Sequence, residues 1–152
     1  MKRTQIYLAS PFFNNNELEY YKKVLKILRD KKLNVYAPKE KEISKENMSK
    51  EEWAKETFIK DANAICASKA VVMLYYGDYS DSGTAWECGY AFAIGTPVIV
   101  VHLHDGKSNC MINCGAHSHL KSLEELEKYD FEKLPRYSYF TGKILGIWDY
   151  RK

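Results

Sequence analysis

The run Ala-Val-Val-Met-Leu-Tyr-Tyr at 70–76 constrains the fold more than any other stretch of the chain. It is apolar almost without interruption. A strand with no polar face has to be covered on both sides, which is the situation at the centre of a parallel sheet. A second such run, TPVIVVHL, occupies 96–103. Two earlier strand-like segments precede them: TQIYLAS at 4–10, closed by Pro11, and the shorter LNVYAP at 33–38, stopped by Pro38. Helical patterns fill the intervals. In 14–32, Leu18, Tyr21, Leu25 and Leu28 recur at helical spacing behind an asparagine able to cap the start, with Glu17 in the first turn. In 49–68, Ser49 and Glu52 form a capping-box pattern, and Trp53, Phe58, Ala62 and Ile65 are assigned to the buried face. A third helix is predicted over 83–94, a surface loop over the charged segment 39–50, and a short helix over 122–128. The aromatic, basic tail 135–152 has no clear period. Strand and helix alternate, so the expected architecture is α/β: a parallel sheet with helices on both faces.

A length of 152 residues suits one domain, 1–152, with one full core. The chain is 45% hydrophobic and 28% charged, an ordinary balance for a globular protein in water. A net charge of +3, with lysines interleaved among glutamates, argues against a nucleic-acid polymer as partner. No apolar run approaches the roughly 20 residues of a membrane span, and the N-terminal MKRTQIYLASPFF does not read as a signal peptide. The expected location is the cytoplasm. The four cysteines, Cys66, Cys88, Cys110 and Cys114, lack the pattern of a disulfide framework. Cys110 and Cys114 lie near His117 and His119, but two well-spaced ligand pairs are missing. They read as loop thiols and imidazoles, with no metal.

In an open parallel sheet, ligands bind beyond the carboxyl ends of the strands. That rule selects SPFFNNN after the first strand, 77–82 after the third and 104–112 after the fourth. No dinucleotide-binding or P-loop glycine pattern is present. The selected loops hold acids instead. Asp78 and Asp81 lie in the third loop, Glu87 begins the helix behind it, and Asp61 sits on the preceding helix. Each has an everyday explanation: Glu87 as a dipole-complementing or capping acid, Asp61 as a solvent-facing acid, Asp81 as part of a turn. Tyr7, alternating within a buried strand, reads as core. Taken together, two aspartates and a glutamate converging on one sheet edge suit acid, base and nucleophile roles. A carboxylate held in a pocket can attack the anomeric carbon of a sugar.

These segments resemble the nucleoside 2-deoxyribosyltransferase family. The residues that carry the resemblance are IYLASPFF (6–13), FIKDANAI (58–65), DSGTAWECGYA (81–91) and NCMI (109–112), in the same order along nearly the whole chain. The resemblance implies a flavodoxin-like, Rossmann-like fold and exchange of a 2-deoxyribosyl group between purine or pyrimidine bases. It implies a retaining double displacement in which Glu87 forms a covalent deoxyribosyl-enzyme. Asp61 would contact the base and handle its proton, Asp81 would hold the sugar hydroxyls, and Tyr7 would orient the nucleophile. Asn109 and Met111 would be lent by a neighbouring subunit, which implies a homo-oligomer, dimer-based and extending to a tetramer or hexamer, with shared active sites. Asn113 is a rival for Asn109, because Cys110 replaces the usual leucine and INCGAHSH (112–119) departs from the family pattern. Phe12, Phe13 and Trp86 are candidates for stacking on the base and excluding water, with core packing as their alternative. Substrates would be small deoxynucleosides and free nucleobases, with no metal or redox cofactor. Two other functions fit the same residues: an N-glycosidase using Glu87 with water as acceptor, and a non-catalytic nucleoside-binding module.

Overall fold

The computed structural model describes residues 3–77, 81–104, 107–139 and 144–145. Asp78 and the C-terminal GIWDYRK lie outside the described residues. In chain order the elements are β1 (Gln5–Ala9), α1 (Asn15–Asp30), β2 (Asn34–Tyr36), a 3-10 turn (Pro38–Lys41), α2 (Lys50–Cys66), β3 (Ser68–Tyr75), α3 (Ser82–Ala93), β4 (Val98–His102), β5 (Ser108–Asn109), α4 (Cys110–Gly115), β6 (Ser118–Leu120), α5 (Leu123–Lys128) and β7 (Ile144–Leu145).

The main sheet has the order β2-β1-β3-β4-β6, and every pairing in it is parallel. This is the flavodoxin-like arrangement, in which the strand order reverses between β1 and β3. The expected central strand is β3, and its interior is buried on both faces. Alternate side chains feed two cores. Ile6, Leu8, Val72, Leu74, Ile99 and Val101 pack under α1 and α5. Tyr7, Ala9, Val71, Met73, Tyr75 and Val100 pack under α2 and α3. This accounts for the unbroken apolar reading of β3 and β4: each of their faces meets a helix layer.

The helix starts follow local chemistry. Asn14 accepts from the Glu17 amide at the head of α1, and Ser49 and Glu52 complete a capping box on α2. Three expectations need correction. Phe58 was assigned to the buried face of α2 but is 54% exposed, because Ala64 and Ile65 near the end of the helix are what meet the sheet. The 3-10 turn occupies part of the predicted 39–50 loop, where Pro38 presets the first φ. The expectation of loop imidazoles also fails for His119, which is buried in β6. Among the described residues no helix is long and apolar enough to cross a membrane, and no group of three or more His, Cys, Asp or Glu is placed to hold a metal ion.

Candidate active site

Asp81 is the N-cap of α3: its Oδ2 accepts from the Thr84 amide at 2.7 Å and the Thr84 hydroxyl at 2.8 Å. The glycine two residues on is part of this cap. A Cβ at Gly83 would stand 3.2 Å from that same Oδ2, so the Asp-Ser-Gly sequence leaves room for the carboxylate. With Asp81 in the capping role, Glu87 falls in the second turn of α3, past the region where a helix dipole stabilises an acid strongly. The dipole explanation of Glu87 therefore loses its main support.

Glu87 projects toward β1. The Tyr7 hydroxyl, on a side chain with no exposed surface, donates to Glu87 Oε2. Burial pushes the Glu87 carboxyl up to about 7; the charges of Asp61 and Asp81 push the same way, and the Tyr7 bond opposes them. Tyr7 itself is raised far above the usual phenol range, first by burial and then by the neighbouring Glu87 charge. It therefore remains a neutral donor. Among the described residues Tyr7 is the hydrogen-bond partner of Glu87, and it occupies Oε2.

Asp61 joins this group through a residue that sequence reading passed over. The Tyr36 hydroxyl donates to Asp61 Oδ1 at 3.0 Å, and the Tyr36 ring stacks on Tyr7 with centroids 5.5 Å apart and planes 13° from parallel. Two acids are thus linked by two stacked phenols: Glu87, Tyr7, Tyr36, Asp61. Lys60 Nζ lies 3.5 Å from Asp61 Oδ1 and donates to the Lys41 carbonyl. Tyr36 was legible only as one residue of the short strand read over 33–38. Its neighbour in the sheet, Tyr7, directly opposite in register, was the one available signal.

The remaining candidates lie around this centre. Trp86 is 48% exposed, stacked on Tyr90 at 5.3 Å and met edge-on by Phe58 at 5.1 Å. Phe12 packs against Phe13 and Tyr21, with Lys39 Nζ over its ring, and Phe13 is exposed. Asn109 caps α4, its Oδ1 accepting from the Met111 amide at 2.9 Å, and Met111 is 78% exposed. Asn109 and Met111 line an apolar cavity of about 710 Å³ between α3 and α4. Ala85, Cys88, Gly89 and Phe92 form its α3 wall. Helical periodicity puts Glu87 on the opposite side of α3 from those four. Within one chain, then, the structure brings Tyr7, Asp61 and Glu87 together, with Asp81 at the head of the same helix. It leaves Asn109 and Met111 on the other flank.

Comparison with known proteins bears on the family and the fold. The family model for nucleoside 2-deoxyribosyltransferase matches residues 6–123. A solved 2-deoxyribosyltransferase from the psychrotolerant bacterium Bacillus psychrosaccharolyticus is 32% identical, with a TM-score of 0.84, covering 90% of this chain and 99% of that one. A 2-desoxiribosyltransferase from Leishmania mexicana (21% identical, TM-score 0.52, 92% and 93% covered) and a CMP N-glycosidase from Clostridium botulinum (18%, 0.56, 86% and 97%) share the fold. A search of curated proteins gives no match. With the family model spanning most of the sequence and a 32% identical relative aligned over nearly all of it, the chain belongs to the nucleoside 2-deoxyribosyltransferase family.

Proposed function

We propose that this chain, a pentosyltransferase acting on the N-glycosidic bond of 2′-deoxynucleosides, exchanges one purine or pyrimidine base for another through a covalent deoxyribosyl-Glu87 intermediate. Glu87 attacks the anomeric carbon, the C–N bond breaks, and its electron pair leaves with the base. Asp61, ionised at rest, takes up a proton from solvent and relays it to the departing base. An incoming base then attacks the same carbon from the face the first one left, the Glu87 ester bond breaks, and Asp61 takes the proton back. Two inversions give net retention. Tyr7 holds Oε2 and aims the attacking oxygen. Asp81, beyond capping α3, faces the sugar hydroxyls. Phe12, Phe13 and Trp86 offer aromatic surface to the base, and Asn109 and Met111, supplied by a neighbouring copy, close the sugar pocket. No step in this sequence consumes a metal or redox equivalent.

The observation that carries the reading is the Tyr7–Glu87 contact at the strand-order reversal between β1 and β3. A carboxylate lifted to about 7 by burial is poorly solvated when ionised, and a transition state with oxocarbenium character compensates that charge. The same reading makes the chain a single domain over 1–152, a homo-oligomer, and a participant in nucleotide salvage in the cytoplasm. The test is a chromatographic panel of donor deoxynucleosides and acceptor bases. New deoxynucleosides in proportion to consumed donor are expected. Free deoxyribose that forms at the same rate with and without acceptor would instead make the chain a glycosidase.

A further inference from the structure

Two histidines that the proposed reaction does not use are buried side by side at the edge of the sheet. His102 ends β4 and His119 lies in β6, with ring centroids 5.2 Å apart and His102 Nε2 2.9 Å from His119 Nδ1. Their protonation pattern follows from the partner at the far end. His119 Nε2 is 3.0 Å from the Asn113 carbonyl oxygen. A carbonyl only accepts, so His119 Nε2 carries the proton and Nδ1 is the acceptor. His102 must then present Nε2–H. Both rings are neutral in this arrangement, and burial holds both imidazoles below their usual range, His102 at about 4.

The Asn113 carbonyl belongs to α4, the short helix that presents Asn109 and Met111. The other end of that segment is tied to the sheet in a similar way: the Asn109 amide donates to the Tyr75 hydroxyl at 2.7 Å. Tyr75 is buried, lies opposite His102 in the β3–β4 register, and meets the His102 ring edge-on at 5.7 Å. Tyr75, His102 and His119 thus form a polar row across three adjacent strands, and both outer members hold the main chain of one segment.

We propose that this row is a positioning device for the reaction: His119, oriented by His102, and Tyr75 together fix the height and angle at which α4 presents Asn109 and Met111 to the deoxynucleoside. The inference rests on the role given above to Asn109. Six residues make a helix too short to hold its own position, so its placement depends on such tethers. A tether that acts only on substrate presentation should change KM while leaving the saturated rate intact.

The test compares His119→Asn with His119→Gln. The longer carboxamide of glutamine reaches the Asn113 carbonyl as a donor and still offers His102 an acceptor. Asparagine keeps the His102 side and falls short of Asn113. Expected for His119→Asn is a rise of about tenfold in KM for the deoxynucleoside, the value of one net hydrogen bond, with kcat within about twofold. Amide exchange at Asn109 and Met111 should speed up by a similar factor, and His119→Gln should restore both. Tyr75→Phe, which removes the acceptor of the Asn109 amide, carries the same KM expectation and serves if the histidine variants do not fold. An unchanged KM in His119→Asn, or a His119→Gln variant as impaired as His119→Asn, would overturn the proposal. An Asn109→Ala variant with unaltered KM would instead remove the reading of Asn109, while faster exchange in His119→Asn would still report the tether.

Discussion

Burial raises Glu87 from an ordinary 4.5 to about 7, which couples stability to pH. Between those values the unfolded chain has lost the proton that the folded chain keeps. The unfolded state binds fewer protons there, so stability falls as pH rises through that window and stays lower above it. The cost is on the order of 3 kcal/mol. Glu87→Gln keeps an acceptor for Tyr7 and removes the charge. It is expected to melt higher than the parent at pH 8, with the gap closing toward pH 4.5, and to lose at least about a thousandfold in base exchange. Equal melting differences at both pH values would show that Glu87 is not a desolvated charge. Attack requires the ionised form, so the exchange rate should fall as pH drops through about 7. Tyr7→Phe removes the contact that holds Glu87 down, and the acidic limb of its pH–rate profile is expected to move to higher pH. Asp81→Asn removes a charge that pushes Glu87 up, and the limb should move to lower pH.

At the scale of elements, α3 depends on Asp81 for its start. Asparagine caps a helix about as well as aspartate, whereas alanine does not. Asp81→Ala is expected to cost about 1 kcal/mol in denaturant unfolding, with Asp81→Asn near the parent. If the two variants unfold alike, the cap is not what the carboxylate contributes. The elements legible in the sequence were those with a period, a capping signal or an apolar run: β1, α1, β2, α2, β3, α3, β4 and α5. The missed ones have physical reasons. Strand β6 is only Ser118–Leu120, and a buried imidazole, His119, stands where an apolar residue would have marked it. Helix α4 has six residues, too few to display a period. Glu87, Asp61, Asp81 and Tyr7 were legible as a set because the carboxyl-end rule gathers them and the resemblance ranks them. Tyr36 was not, since stacking on Tyr7 and bonding to Asp61 depend on the register of β1 with β2, and three strand residues do not fix a register.

The molecule as a whole leaves apolar surface uncovered beside the α3–α4 cavity: Met111 at 78% and Phe92 at 66% exposure. Patches of this kind on a folded chain mark association surfaces, which suits the proposed sharing of Asn109 and Met111 between copies. Sedimentation should therefore report an oligomer. Mixing Glu87→Gln with Asn109→Ala subunits should give, at low deoxynucleoside concentration, more exchange than the sum of the two alone; a fully active monomer would remove the shared site. The most direct measurement is mass spectrometry of the protein quenched after incubation with a deoxynucleoside and no acceptor base. The expected result is one deoxyribosyl group per chain, mapped to the peptide at Glu87 and absent from Glu87→Gln. A label on any other residue, or exchange that proceeds with Glu87 unmodified throughout turnover, would contradict the assignment of this carboxylate as the attacking group.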